Sequence, residues 1–389
     1  MHPTLSNTPD FKKKFEAMET KSLQLPSESY TDPAYHKLEM QHVYESSWAA
    51  IGFASEFQTG PEAKPVTFLG KALLVTQNAQ GSIRVFENVC RHRGHLLIEQ
   101  KQHGRKLLTC PYHAWCYDLD GRFVNAPYWD GSKGSSPDPE TKEKMGLIPI
   151  RFEIWYDVIF VNLDGQAESF DSFSEDLESR WGTFRPSSLL HNFSQKNFSV
   201  DGNWKLAAEN FLDNYHLPWI HPEIGSSVEA SLGLAVKDMR LSKNIIGFSH
   251  PTAGQEKGKT DKALPDWPDL VPSEAMRQDL FFMMPNICFV MEGYYLWSMI
   301  LLPTGADRCD EKLALYVIGD EAMEPQLQTS RQQLESLIYN INKQDARVIK
   351  NLQAGRQNQA ASQGIYCDRH DQLGKWFHKA VAERMLPHL

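Results

Sequence analysis

Short apolar runs broken by turn residues dominate the first half of this chain, whereas longer stretches with helical periodicity emerge in the second. Between Trp48 and Asp164 the runs Ala72–Thr76, Ile83–Phe86 and Val158–Asn162 lie between turn residues, which predicts a mostly antiparallel β domain over residues 48–164. Residues 1–47 read as a tail and helical arm, with Asp32-Pro33 as a helix start. Residues 165–389 mix helices with strands, as expected of an α+β domain built on an antiparallel sheet. The polar stretches Gly131–Pro139 and Ala253–Pro268 read as loops, and no internal repeat stands out. From Cys288 to Met299 a single strand would place Phe289, Met291, Tyr295, Trp297 and Met299 on one face, with a gap at Gly293. That face suits a flat ring, a methylated ammonium group or plain core packing.

Two periodic segments carry candidate chemistry. From Gly202 to His221 the pattern predicts an amphipathic helix with Ala208, Phe211, Leu212 and Tyr215 on its apolar side. Glu209, Asp213 and His216, spaced four and three apart, share the other side. An unbroken helix would point His221 roughly 140° away from His216, but Pro218 stops it and lets His221 turn back. The run from Leu327 to Gln353 reads as one long helix with a stripe of Leu334, Leu337, Ile338, Ile341, Val348, Ile349 and Leu352. Asp345 stands inside that stripe, so the periodicity that buries its neighbours buries it. A buried carboxylate needs compensation, and either a bound cation or a salt bridge supplies it. His216, His221 and Asp345 together form two imidazoles and one carboxylate, the set that holds non-haem Fe(II) with positions open to O2. Asp368 and Asp371 compete with Asp345 for the third place, from a polar stretch without a stripe.

Cys90-Arg-His92 and Cys110-Pro-Tyr-His113 each offer one thiolate and one imidazole. A [2Fe–2S] cluster needs two ligands per iron, and imidazoles in place of two thiolates make one iron easier to reduce. Cys90 and Cys110 would then hold one iron while His92 and His113 hold the other. Zinc uses the same residue types, usually from a Cys-x-x-Cys knuckle that neither run contains. Gly94 and Pro111 suit two tight loops, flanked by His95 and Cys116 as packing residues.

Taken in order, these motifs resemble the terminal oxygenase alpha subunit of the Rieske non-haem iron oxygenases, a family that includes aromatic-ring-hydroxylating dioxygenases. The resemblance runs from Leu25–Tyr35 and Trp48 through Cys90–Gly94, Cys110–Trp115 and Asp118–Gly121 to Asn203-Trp-Lys, His221, Gln344-Asp345 and Gln353. It implies a Rieske [2Fe–2S] domain followed by a catalytic domain with mononuclear Fe(II). Asp213 matches the acid that links the cluster of one subunit to the iron of its neighbour, and Asn210 matches a residue near that iron. Ala114 stands where the family often has Gly. The resemblance further implies a homotrimer, O2 as co-substrate, and electrons from a separate NAD(P)H-dependent reductase or ferredoxin. Its leading expectation is hydroxylation of a small aromatic substrate. The alternative is a methylated or quaternary amine of the choline, betaine or carnitine type, because Pro285-Asn286 and Leu302-Pro303 look similar to such members. A pure electron carrier is the third reading, and it has no use for His216, His221 and Asp345.

Composition sets outer bounds. A chain of 389 residues, 41% hydrophobic, can hold two domains with their own cores. Its net charge of −9, without a basic run beyond Lys12-Lys13-Lys14, argues against nucleic acid as a partner. Neither an apolar leader nor a bilayer-length stretch is present, so no membrane association and a cytoplasmic location are expected. Cys116, Cys288, Cys309 and Cys367 show no disulfide framework, in keeping with a reducing compartment. No Gly-x-Gly-x-x-Gly turn opens a helix, so a nicotinamide or flavin domain is not expected here.

Overall fold

The computed structural model describes residues 9–389 apart from positions 58, 183, 185–186, 225–237, 253–262 and 362. Most of the expected 253–268 loop therefore lies outside the described residues. The chain forms two compact units, residues 51–166 and residues 1–50 together with 167–389. The N-terminal arm, expected as a segment of its own, thus groups with the second half of the chain. It contains α1 (Pro9–Lys21) and α2 (Pro33–Glu39). Asp32 starts α2 by accepting from the N–H groups of Ala34 (2.7 Å) and Tyr35 (3.0 Å), with Pro33 in the first turn.

In the 51–166 unit the turn-rich sequence yields short antiparallel strands in three sheets. One has the order β1 (Ala49–Phe53), β10 (Val158–Asn162), β9 (Arg151–Trp155). A second has the order β4 (Ile83–Glu87), β3 (Lys71–Gln77), β2 (Glu62–Phe68), β5 (Gln102–His103). The third is β6 (Leu107–Thr109), β7 (Cys116–Asp118), β8 (Phe123–Asn125), and α3 (Pro139–Lys144) follows it. Leu69 and Gly70, both at positive φ, make the tight β2–β3 turn. Cys90 and Cys110 belong to this unit's core, packed with Leu74, Phe86, Leu108, Trp115, Tyr117 and Phe123.

The second unit is built on a seven-stranded antiparallel sheet in the order β11 (Leu190–Val200), β17 (Arg308–Ile318), β16 (Tyr295–Gly305), β15 (Ile287–Glu292), β14 (Arg277–Met283), β13 (Ile245–Pro251), β12 (Asp238–Leu241). Its helices are α4 (Phe170–Arg180), α5 (Trp204–Leu212), α6 (Leu217–Ile220), α7 (Pro272–Ala275), α8 (Gln328–Arg356) and α9 (Gln372–Met385). The register lines up Phe248, Leu280, Val290, Trp297 and Leu315 across one face. Trp297 on that face meets Phe211 of α5 at 5.7 Å, and Phe282 meets Phe377 of α9 at 5.6 Å. The opposite face takes α4, after which Trp181 packs on Phe289 and donates from Nε1 to Asp279 (3.1 Å).

Two expectations need correction. Cys288–Met299 is no single strand but the β15–β16 hairpin, turning at Gly293-Tyr294. The turn inverts the alternation, so Phe289 and Met291 face α4 while Tyr295, Trp297 and Met299 face the other helices. The buried stripe of α8 is also rotated: Asn342 and Gln353 are buried, whereas Leu337 and Leu352 are 37% and 42% exposed. Hydrogen bonds draw the two amides inward, Asn342 to Glu311 (2.8 Å) and Gln353 to the Asn203 N–H (2.8 Å) and Tyr30 carbonyl (3.1 Å). Among the described residues no helix is long and apolar enough to cross a membrane.

Candidate functional site

The helix expected to run to Pro218 ends sooner. Asn203 caps α5 by accepting from the Lys205 N–H at 2.9 Å, but the helix stops at Leu212 because Asp213 is extended (φ −93°, ψ 116°). Asp213 Oδ1 accepts from the Tyr215 N–H at 2.6 Å, a local turn that competes with helix continuation. The chain restarts as α6, and Pro218 lies in its first turn, where the missing N–H costs nothing. Pro218 therefore begins a helical turn instead of ending one. His216 and His221 flank that turn, which is how five residues bring two imidazoles to one point.

There they meet Asp345 of α8. His216 Nε2 and His221 Nε2 lie 3.3 Å apart, and Asp345 Oδ1 is 3.3 Å from the first and 3.0 Å from the second. Among the described residues this is the one group of His, Cys, Asp or Glu atoms that converges as a metal would require. Each remaining imidazole nitrogen also has a partner: His216 Nδ1 faces Asp213 Oδ2 at 3.2 Å, and His221 Nδ1 faces Gln344 Oε1 at 2.6 Å. Asn210 donates from Nδ2 to Asp345 Oδ1 at 3.3 Å. Such outer partners fix the tautomer and aim each ligand.

Asp368 and Asp371 are not brought to this point. Asp371 accepts from the Cys367 N–H at 2.6 Å before α9, and Asp368 is exposed. Glu209, expected on the same helix face as Asp213 and His216, turns elsewhere. It accepts from Tyr30 (2.6 Å) and faces His378 (3.0 Å) and Arg356 (3.9 Å).

Electrostatics at the three residues favour a cation. Burial lowers the His216 pKa, but hydrogen bonds and charges from Asp213 and Asp345 outweigh it and push it up to about 9. In His221 burial also lowers, and Asp345 with Gln344 raises, for a net rise. Asp345 is pulled the other way: burial raises its pKa, and the two imidazoles bring it below the usual carboxylate range. Protons here occupy the place that a divalent ion would take, and two imidazoles with a carboxylate suit non-haem iron.

The two Cys/His loops of the other unit close in the same way. The Cys90 N–H donates to the His95 carbonyl (2.8 Å) and the Gly94 N–H to the Cys90 carbonyl (3.0 Å). The Cys110 N–H donates to Trp115 (2.8 Å) and the Ala114 N–H to Cys110 (2.9 Å). Gly94 and Ala114 occupy matching left-handed positions, at φ 72° and 55°. Both thiols are buried and both imidazoles exposed, with the His92 and His113 ring centres 4.7 Å apart. Burial raises the Cys90 thiol pKa, so a thiolate there calls for a cationic partner. The donor set fits a two-iron cluster with its imidazole side toward solvent.

Three contributors take their roles from the structure, although Gln344 and Trp115 stand inside motifs read from the sequence. Gln344 holds His221, Tyr117 meets Cys90 Sγ at 3.5 Å and receives the Arg91 N–H at 3.0 Å, and Trp115 stacks on His92 at 4.6 Å. Only adjacency to the ligands marks them, since no periodicity does.

Comparison with known proteins places both units. The family model "Ring hydroxylating alpha subunit (catalytic domain)" matches residues 187–386, and "Rieske [2Fe-2S] domain" matches residues 47–134. Chloroplastic choline monooxygenase of Spinacia oleracea is 24% identical over 354 residues, covering 88% of this chain and 73% of that protein. The carnitine monooxygenase oxygenase subunit of Escherichia coli K12 is 28% identical over 228 residues, 57% of this chain and 59% of that protein. Among solved structures, the quaternary ammonium Rieske monooxygenase CntA with L-carnitine aligns at TM-score 0.72 and 19% identity, over 94% of this chain and 96% of that one. Naphthalene 1,2-dioxygenase from Rhodococcus sp. aligns at TM-score 0.76 and 17% identity, over 98% and 99%. At these identities the structural likeness speaks for the fold alone. The protein thus has a Rieske [2Fe–2S] domain and an iron-binding catalytic domain, and it is an oxygenase that works with O2 and a separate electron donor. With the catalytic domain matched over half its length and the Rieske domain before it, the chain belongs to the family of ring-hydroxylating oxygenase alpha subunits.

Proposed function

We propose that this terminal oxygenase acts on a quaternary or methylated amine, drawing electrons from a separate NAD(P)H-dependent reductase or ferredoxin. The observation that carries the substrate class is the naming of its relatives: choline monooxygenases align over 88% of this chain, and a carnitine monooxygenase subunit over 57%. The aromatic substrate, expected first from the sequence, stands second to this reading.

In this reading His216, His221 and Asp345 hold the mononuclear iron, and Cys90, Cys110, His92 and His113 hold the cluster. Bound there, the metals supply electron storage and O2 activation, the part of the chemistry side chains cannot provide. Asp213 accepts the Nδ1 proton of His216 and keeps its Nε2 lone pair free for the metal; Gln344 does the same for His221. Asn210 orients the Asp345 carboxylate through the oxygen it shares with the imidazoles. Asp213 keeps 38% of its side chain exposed, which suits an acid that also meets a neighbouring subunit's cluster ligand in a homotrimer.

The experiment is an anaerobic reconstitution with iron and a surrogate reductase, followed by NADH-dependent O2 uptake and product analysis. Choline and L-carnitine are compared with naphthalene and indole. Oxidised product from an amine, with uncoupled or absent turnover on the arenes, is expected. Coupled turnover confined to the arenes would overturn the assignment.

A further inference from the structure

Three of the six buried acids among the described residues are met by a cation. Among the described residues, Glu39 faces Lys205 (2.8 Å), Glu62 faces Lys101 (2.5 Å), and Asp279 faces Arg277 (2.9 Å) and Arg180 (3.4 Å). Glu292, at the end of β15 and only 7% exposed, faces none. Its Oε1 accepts from Tyr295 (3.1 Å) and from the Gln278 amide, and Oε2 has no hydrogen-bond partner among the described residues. Of the other two, Asp32 caps α2 and Glu311 is enclosed under α8 through Asn342. A carboxyl held by two neutral donors, with aromatic rings around it and no cation beside it, is the arrangement that recognises a bulky cation.

The surroundings are aromatic, and a ring contact on the same sheet face links them to the helix that carries Asn210. Tyr294 and Tyr295 have ring centres 4.9 Å apart beside Glu292. Trp297 follows Tyr295 on the same sheet face and touches Phe211 of α5, whose neighbour Asn210 holds Asp345. The groups that face Glu292 from packed elements are Asp266 beside the hairpin turn, Tyr294, Tyr295, and Gln278, whose other end meets His250 at 2.9 Å. Arg277, the nearest cation in sequence, is engaged with Asp279 on the opposite face.

Building on the amine reading above, we propose that Glu292, with the rings of Tyr294, Tyr295 and Trp297, forms a subsite for a tetraalkylammonium group on the approach to the His216–His221–Asp345 centre. Such a group has no N–H to donate, so it needs only a counter-charge and polarisable ring faces. A metal ion would demand several more oxygen ligands than this place offers. Burial, aided by Asp266 and opposed by Tyr295 and Gln278, pushes the Glu292 pKa up to about 7. Binding a fixed cation therefore expels a proton from Glu292 below that pH, and affinity rises as pH rises through it.

The test uses the cluster-loaded full chain and two probes, choline and its uncharged isostere 3,3-dimethylbutan-1-ol, in calorimetric titrations with buffers of different ionisation enthalpy. Wild type is expected to prefer choline by about tenfold or more, and to release a proton at about pH 6 but not at about pH 8.5. In Glu292→Gln the preference and the proton release disappear while affinity for the isostere stays within about twofold. A Glu292→Gln protein that keeps the preference overturns the subsite and leaves the amine reading standing. Wild type that binds neither probe, or the isostere as well as choline, also overturns the subsite, and the turnover comparison above decides the amine reading separately. Proton release by wild type is read without any variant, and its absence at about pH 6 refutes Glu292 even if Glu292→Gln does not fold.

Discussion

Metal loading at His216 rises with pH, and the size of the rise follows from the proton that the metal-free protein binds there. With its pKa pushed from 6.5 to about 9, His216 is almost wholly protonated at neutral pH, and a divalent ion must displace that proton. Well below its pKa the deprotonated fraction grows about tenfold per pH unit and it reaches half at the pKa, so this group alone raises apparent affinity roughly 50-fold between pH 7 and pH 9. His221, shifted in the same direction, adds to the slope. Folding stability of the metal-free protein runs the opposite way. A folded-state pKa above the unfolded one gives stabilisation that is complete below about pH 6.5 and lost as pH rises through about 9, at most about 3 kcal/mol. Anaerobic titration with Co(II), a stand-in without redox chemistry under these conditions, measures the affinity directly in protein whose cluster is intact. Thermal melts of the same preparation follow the stability. An affinity that is flat or falls across this range refutes the reasoning, because it would mean that His216 carries no proton to displace.

Asp213→Asn is expected to retain both metals but to lose electron transfer from cluster to mononuclear iron, and single-turnover rates equal to wild type would exclude Asp213 as the bridge. Lys205→Met leaves Glu39 buried without a cation, beside Trp204 Nε1 and the Tyr35 hydroxyl, and should cost about 3–5 kcal/mol in denaturant unfolding; Glu39→Gln added to it should recover part of the loss. Ala114→Gly relieves a left-handed residue at φ 55° and should stabilise the Rieske unit by up to about 1 kcal/mol, read as a higher temperature for loss of the cluster's visible absorbance. No change or a loss would show that the loop has relaxed around the methyl group.

The sequence made the metal chemistry legible because ligands are few, chemically distinct and closely spaced. Cys90, His92, Cys110 and His113 stand out for that reason, and Asp345 because a carboxylate in an apolar stripe breaks a strong period. That His216 and His221 meet is legible in the spacing, but the way they meet is not. Helical spacing placed Asp213, His216 and Glu209 on one face, yet Asp213 caps its own turn and ends the helix, and Glu209 is claimed by His378, Arg356 and Tyr30. Pro218 is compatible with a helix end or a helix start, and only the preceding turn decides between them. The β15–β16 hairpin was hidden because Gly293-Tyr294 sits inside an apolar run whose alternation looks unbroken. The inward rotation of Asn342 and Gln353 depends on partners far away in sequence, Glu311 and Asn203, which periodicity does not register.

A Rieske cluster serving a separate iron held by His216, His221 and Asp345 is what the variant Asp345→Ala examines. Wild type and variant, loaded with iron anaerobically, are compared by iron and acid-labile sulfide analysis together with EPR of the reduced cluster. The account predicts that the variant keeps its sulfide and cluster signal, loses one iron per chain, and no longer turns over. A variant with the full wild-type iron content and undiminished oxygenation would contradict it.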